Sequence, residues 1–151
     1  MVGGGIIGGG WAARFLLHGW DVAVFDPHPD AAERIGDVLT NARRSLPALA
    51  QVPLPAEGSL SFTASLAEAV AGAEWIQESV PEDLALKHAV IAEAQAAAPD
   101  DAVIASSTSG FKPSALQDAV NNRSQVLVAH PSKLWQGQMV APVRYSALAT
   151  S

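Results

Sequence analysis

The glycines near the start of the chain have the spacing of a phosphate-binding turn. Six of the first ten residues are glycine, and the stretch Gly3-Gly4-Gly5-Ile6-Ile7-Gly8 fits the pattern G-x-G-x-x-G. In a dinucleotide site the first glycine permits a tight turn, the second lets the backbone approach the pyrophosphate, and the third lets helix and strand pack closely. The phosphates then lie on free amides at the positive end of the helix dipole. The pattern indicates a dinucleotide cofactor, although glycine-rich stretches are also common in loops.

An acidic residue follows where such a site uses one. Asp26 closes the short apolar stretch 21–26 and lies 18 residues after Gly8. A carboxylate at that position accepts hydrogen bonds from the adenosine ribose hydroxyls, and it repels a 2′-phosphate. This predicts NAD rather than NADP as the cofactor. The alternative is that Asp26, in the stretch DPHPD, is the N-cap of the helix that follows.

Helical and strand patterns alternate along the rest of the chain. The hydrophobic periodicity and the turn residues predict helices over 6–19, 29–49, 66–73, 82–98 and 112–120, and strands over 21–26, 60–64, 74–80, 102–107 and 124–130. Ser65 and Glu68 have the spacing of a capping box at the third helix. The alternation predicts an α/β fold of βαβ units with a mostly parallel sheet.

The composition narrows the class of protein and of partner. A chain of 151 residues with 49% hydrophobic and 16% charged residues is expected to fold as one globular domain. The net charge of −6 argues against nucleic acid or an anionic membrane as a partner. Without cysteine there is no disulfide or thiolate chemistry, and no apolar run is long enough for a transmembrane helix. A cytoplasmic location is expected, and no metal-ligand spacing is visible, so no metal is predicted.

Three stretches carry a resemblance to a known family. They are GGGIIGGGWAARFLLHGWDVAVFDP, GAEWIQESVPEDLALKHAV and IASSTSGFKPS, and they resemble the 3-hydroxyacyl-CoA dehydrogenase superfamily in register from about Val2 to Pro131. Within it, the resemblance is strongest to members that oxidise L-carnitine. It implies a Rossmann-type, doubly wound NAD-binding domain over 1–131. It also implies that a second, helical domain, which in the family completes the substrate site and forms the homodimer, is missing here.

The resemblance assigns three further residues to the cofactor site. Glu82 and Lys87 stand where the family has a glutamate and a lysine near the nicotinamide and its ribose. Ser109 stands where a serine lies by the nicotinamide and hydrogen-bonds the substrate oxygen. From the residues alone, Glu82 reads as an ordinary acid in the first turn of a helix, Lys87 as a solvated lysine and Ser109 as a cap of the next helix.

His130 stands where the family has its catalytic histidine, and it also closes the predicted strand VLVAH. Oxidation of a secondary alcohol requires loss of a hydride to the nicotinamide and of a proton from the hydroxyl. Histidine titrates near neutrality and is suited to take that proton and return it. The alternative is a structural histidine at the end of a strand.

The two ends of the chain depart from the family pattern. Only Met1 and Val2 precede Gly3, so the first strand is expected to be truncated. In the family a glutamate twelve residues after the histidine orients the ring, but Pro142 stands there, and residues 132–151 contain no Asp or Glu. The match ends abruptly after Pro131, as a shifted reading frame or a truncated gene would produce. Residues 132–151 are therefore left as an unassigned tail.

The sequence predicts an NAD-dependent oxidation of the 3-hydroxyl of a small 3-hydroxy acid, with Ser109 and His130 as catalytic residues. By resemblance the expected reaction is L-carnitine to 3-dehydrocarnitine. Three alternatives stay open: a 3-hydroxyacyl-CoA as the substrate, an NAD-binding module without turnover, and a structural α/β domain with no ligand.

Overall fold

The computed structural model describes residues 1–131 and the pair 144–145. Helices and strands alternate, as the periodicity predicts. The α-helices are α1 (Ile6–Leu17), α2 (Ala31–Leu49), α3 (Leu66–Val70), α4 (Leu84–Ala97) and α5 (Pro113–Gln117), and the strands are β1 (Val22–Val24), β2 (Leu60–Phe62), β3 (Trp75–Glu78), β4 (Val103–Ser106), β5 (Val126–His130) and β6 (Arg144–Tyr145).

The strands form one sheet, and the start of the chain lies at its centre. β1 pairs in parallel with β2, and β3, β4 and β5 pair in parallel in that order, while β6 pairs antiparallel with β5. Val2 lies between the two groups and pairs in parallel with Phe25 on one side and Glu78 on the other. The resulting order, β2–β1–Val2–β3–β4–β5–β6, confirms the predicted mostly parallel, doubly wound sheet.

Consecutive residues of the strands enter two different hydrophobic clusters, as expected for a sheet covered on both faces. Met1 and Ala105 pack with residues of α1, α2 and β1, including Leu16 and Ile35. Their neighbours Val2 and Ile104 pack in the second cluster, which holds the buried hydrophobic residues of α3, α4 and α5. The helices are thereby fixed on the two faces, and the loops after the strands meet at one edge.

The ends of the helices follow local rules. Ser65 accepts a hydrogen bond from the amide of Glu68 at 3.2 Å, as the predicted capping box requires. The Glu68 carboxylate accepts its bond of 3.1 Å from the amide of Ala64, one residue before the N-cap, rather than from Ser65 itself. Asp83 caps α4 through the amide of Leu86. Among the described residues, the structure contains no helix with both the length and the apolar character needed to cross a membrane.

Candidate functional site

The glycine turn connects the Met1–Gly3 segment to α1, and two of its glycines are required by their surroundings. Gly3 has φ +94°, and a Cβ there would lie 2.8 Å from the carbonyl carbon and oxygen of Ser79. A Cβ on Gly8 would overlap the carbonyl oxygen of Gly3, so only glycine lets α1 approach the turn this closely. Gly5 differs, because a Cβ built there meets nothing within 4 Å. The turn thus leaves open space beside Gly5, where the pattern requires the backbone to be approachable.

The N-terminus of α1 is available to an anion. Gly5 is the N-cap, no side chain accepts from the first-turn amides, and the first turn contains no acidic residue. Amides at a helix N-terminus that lack an internal acceptor hold phosphate well, since the helix dipole adds to their hydrogen bonds. Ile6 is 81% exposed beside these amides, and Ile7 is half-buried. These residues therefore fit the pyrophosphate of a dinucleotide.

Asp26 lies directly beside the glycine turn. It follows β1, and its Oδ2 accepts a hydrogen bond of 2.5 Å from the amide of Gly4. Its Oδ1 accepts one of 2.7 Å from the amide of His28. The N-cap of α2 is Asp30, so the alternative interpretation of Asp26 as that cap is wrong. The carboxylate is held at the edge of the turn, where a ribose attached to the phosphates would lie.

Glu82 holds the loop that carries Ser109. One carboxylate oxygen, Oε1, accepts hydrogen bonds from the Thr108 hydroxyl at 2.5 Å, the Gly110 amide at 2.7 Å and the Ser109 amide at 3.1 Å. Burial alone would raise the pKa of Glu82, but these bonds and the nearby Lys87 charge outweigh it and hold the pKa below its usual range. Glu82 precedes α4, so it is not an acid of the helix's first turn.

Lys87 is buried, which makes the alternative of a solvated lysine wrong. Its side chain is 1% exposed, and its Nζ lies 2.8 Å from Oε1 of Glu78 and 3.4 Å from Oε2 of Glu82. It also donates a hydrogen bond to the carbonyl of Val80 at 3.2 Å. The sequence-predicted pair of Glu82 and Lys87 therefore meets in space, with Glu78 as an additional partner.

Ser109 and His130 both lie at the carboxyl edge of the sheet. Ser109 is exposed, and its hydroxyl makes no hydrogen bond to another described residue. His130 is half-buried at the end of β5, with Nδ1 2.9 Å from the carbonyl oxygen of Ser107. Since a carbonyl only accepts, this contact requires Nδ1 to carry the proton and leaves Nε2 as the basic nitrogen of the neutral ring.

Ser107 connects the glycine turn to His130, and its role was not predicted from the sequence. Its hydroxyl lies 2.8 Å from that of Ser79, the residue against which Gly3 packs, and accepts a bond of 2.9 Å from the side-chain Nε2 of Gln77. Its own amide donates to the carbonyl of Glu78 at 2.8 Å. The signal in the sequence is the run of hydroxyl residues after a buried strand, from Ser106 to Ser109, where open α/β sheets bind ligands.

Comparison with known proteins identifies the family. The model of the 3-hydroxyacyl-CoA dehydrogenase NAD-binding domain matches residues 1–134. The chain belongs to this family. The resemblance predicted from the sequence is confirmed, and so is NAD as the cofactor, since the family is defined by binding it.

Individual members agree with this placement. The chain is 62% identical over 131 residues to an L-carnitine dehydrogenase/betainyl-CoA thioesterase of Ruegeria pomeroyi, covering 87% of this chain and 27% of that protein. It is 50% identical over 131 residues to an L-carnitine dehydrogenase of Mesorhizobium japonicum, covering 86% and 36%. A solved structure of an NAD+-dependent 5-formyl-3-hydroxy-2-methylpyridine 4-carboxylic acid 5-dehydrogenase superposes with a TM-score of 0.78 at 33% identity, covering 87% and 43%. The chain thus spans about a quarter to two fifths of these relatives.

Proposed function

We propose that this chain supplies the NAD-binding part of a dehydrogenase that oxidises the 3-hydroxyl of a small 3-hydroxy acid, with L-carnitine as the substrate. The observation that carries the proposal is the 62% identity to the L-carnitine dehydrogenase/betainyl-CoA thioesterase of Ruegeria pomeroyi across almost the whole described chain. A 3-hydroxyacyl-CoA is the alternative substrate, suggested by the name of the family. A cytoplasmic location belongs to the same proposal.

The residues of the glycine turn and of the sheet edge would hold the cofactor. The free amides of α1 would receive the pyrophosphate, and the carboxylate of Asp26 would receive the adenosine ribose. Glu82 would lie near the nicotinamide ribose, at the loop that it already holds. When bound, NAD accepts the hydride of the alcohol carbon.

His130 would act as the general base. Its Nδ1 is engaged by the Ser107 carbonyl, so Nε2 is left to take the proton from the substrate hydroxyl and to return it in the reverse reaction. The Ser109 hydroxyl, which has no partner among the described residues, would hydrogen-bond the same substrate oxygen. The two groups would orient the alcohol so that proton and hydride leave together.

The domain arrangement is also proposed. Residues 1–131 form the NAD-binding unit, and in the longer relatives a further region would complete the substrate site and the homodimer. Of residues 132–151, all but 144 and 145 lie outside the described residues, and so does Pro142, which stands where the family has its glutamate.

Two measurements test the proposal. Calorimetry should show that NADH binds, and that NADPH binds about tenfold or more weakly because Asp26 repels its 2′-phosphate. Formation of NADH from L-carnitine, compared with 3-hydroxybutyryl-CoA, tests turnover and substrate class. Failure to bind NADH would contradict the whole proposal. Preference for 3-hydroxybutyryl-CoA would make a 3-hydroxyacyl-CoA, rather than L-carnitine, the substrate.

A module that binds NAD without turnover is the second candidate. It is favoured by His130, whose partner among the described residues is a neutral carbonyl rather than a carboxylate that would stabilise the imidazolium. Binding of NADH with no NADH formed from either substrate would support this candidate and contradict dehydrogenation by this chain alone.

A further inference from the structure

A buried ion pair joins the ends of two strands to the first turns of α4. Glu78, the last residue of β3, and Lys87 in α4 are each 1% exposed, and the Nζ–Oε1 distance is 2.8 Å. Removing two charges from water is costly, so such a pair persists only when its remaining atoms are bonded. Here Glu78 also accepts from the amide of Val80 at 2.7 Å and from the hydroxyl of Ser106 in β4.

The pair extends into the loop that carries Ser109. Oε2 of Glu82 faces the Lys87 ammonium at 3.4 Å, while Oε1 holds Thr108, Ser109 and Gly110. Glu82 is 42% exposed and would have many arrangements without this cation. The cation and the three donors engage opposite oxygens of one carboxylate, so its rotation is fixed from both sides.

We propose that Lys87 and Glu78 are positioning residues: the buried pair orients Glu82, and Glu82 holds the backbone of Ser109 so that its hydroxyl faces the cofactor and the substrate. Lys87 acts on the Ser109 loop through Glu82. The role rests on the proposed function, because the position of the Ser109 loop affects binding only if NAD binds at the carboxyl edge of the sheet. This positioning role explains why Lys87, which the family resemblance assigns to the cofactor site, is buried.

The test removes both charges together. In Glu78→Gln/Lys87→Met the side-chain sizes are kept and no unpaired buried charge is left. The matched control is Val70→Ala, which truncates a fully buried residue of α3 in the hydrophobic cluster that also holds Ile91 and Ala94 of α4, outside the ion-pair network. For each protein the amide NMR signals of Ser109 and Gly110, the titration of the Glu82 carboxyl and the affinity for NADH are measured.

A positioning role predicts changes that lost stability alone does not produce. The double variant should shift the Ser109 and Gly110 amide signals, raise the pKa of Glu82 and weaken NADH binding by about tenfold. The control should lose stability and change none of the three. Glu82→Gln should weaken NADH binding much less in the double variant than in the wild type. The reason is that both sets of changes interrupt the same contacts, from Lys87 through Glu82 to Ser109.

Several outcomes would overturn the inference. A double variant that binds NADH as the wild type does, with unchanged amide signals, would show that the pair only stabilises the fold. Additive effects of Glu82→Gln and the double variant would show that Lys87 does not act through Glu82. If the wild type itself does not bind NADH, the proposed function fails first, and the inference fails with it.

A milder variant covers the case in which the double variant does not fold. Ser106→Ala removes the hydrogen bond from its hydroxyl to Glu78 and the one of 3.3 Å that the hydroxyl accepts from the Thr108 amide, and it leaves both charges. It should shift the same amide signals and the same titration in the same direction, by a smaller amount. Unchanged signals in this variant would also contradict the inference.

Discussion

Gly5 and Gly8 belong to one turn, but the space around their α-carbons differs. A Cβ on Gly8 overlaps the Gly3 carbonyl oxygen, whereas one on Gly5 enters open space. Gly8→Ala is therefore expected to destabilise the protein by about 1–3 kcal/mol or more through overpacking. Gly5→Ala should cost about 1 kcal/mol or less, yet weaken NADH binding by about tenfold, since its methyl occupies the approach of the pyrophosphate.

Thermal unfolding and calorimetry with NADH separate the two effects. The prediction fails if Gly5→Ala binds NADH normally, because the open space would then not be the phosphate site. Gly36→Ala in α2 is the control, since a Cβ there also meets nothing within 4 Å and lies in a helix interior. It should leave NADH binding unchanged and slightly raise stability.

The protonation of His130 is predictable from its single contact. Nδ1 faces the Ser107 carbonyl at 2.9 Å, so the neutral ring should carry its proton on Nδ1. His88 provides an internal reference, because its Nε2 faces the Ala115 carbonyl at 2.6 Å and should carry the proton instead. Nitrogen-15 NMR of the imidazoles at high pH should show opposite tautomers for the two residues. The same tautomer in both would contradict the geometry from which the basic Nε2 is derived.

Among individual residues, those whose role depends on local chemistry were accessible from the sequence. The spacing of the glycines predicts a turn, and the position of Asp26 predicts a carboxylate beside that turn; the two lie together in the structure. Ser107 was missed because its role depends on Ser79 and His130, which are 28 and 23 residues away. Contacts of that kind depend on which strands are neighbours, and a single sequence does not state this.

At the scale of elements, Glu78 in β3 and Lys87 in α4 should be energetically coupled. Lys87→Met alone leaves Glu78 buried without its cation and is expected to cost about 3–5 kcal/mol. Glu78→Gln/Lys87→Met should cost clearly less than the sum of its two single changes, because the second change removes the unpaired charge left by the first. Urea unfolding of the four proteins gives the coupling energy. Additive effects would show that the pair contributes no mutual stabilisation.

The order of the elements was predictable, while the environment of α4 was not. The alanines, leucines and glutamates of the stretch 82–98 predict a clear helix, and the helix spans Leu84–Ala97. Its apolar positions, however, do not reveal that Lys87 faces the sheet, because a lysine in a helix is usually solvated. Its burial follows from Glu78 in β3, and pairing between a strand and the next helix is set by the tertiary fold. A buried acid at the end of a strand was the only available hint.

At the scale of the whole molecule, the first three residues join the two halves of the sheet. Val2 donates to the Gln77 carbonyl and accepts from the Ser79 amide, while Met1 and Gly3 bond to Phe25. Val2 takes the central place of the sheet, between Phe25 and Glu78. The stability of the entire fold therefore depends on the burial of Met1. Protonation of the Met1 amine places a charge at this buried position, so the pH dependence of unfolding tests it.

The Met1 amine should make stability depend on pH in the chain that begins at this residue. Met1 is 6% exposed, its amine donates to the Ala23 carbonyl at 2.8 Å, and burial lowers the pKa of the amine from 8.0 to about 6. The unfolded chain thus binds a proton between pH 8 and 6 that the folded chain does not. The free energy of unfolding is greatest above pH 8 and should fall by up to about 2–3 kcal/mol as the pH drops to 6, then level off.

An N-acetylated form of the same chain isolates this effect from the histidines, which titrate in a similar range. Acetylation removes the charge, and Met1 and Ala23, whose carbonyl the amine contacts, both line an open pocket of about 550 Å³. Urea unfolding between pH 5.5 and 8.5, on protein whose mass shows Met1 retained, should give a steeper pH dependence for the free amine than for the acetylated form. Parallel curves would mean that the amine is hydrated in the folded state, and that the two halves of the sheet are joined less tightly at Met1 than the hydrogen bonds to Ala23 and Phe25 imply.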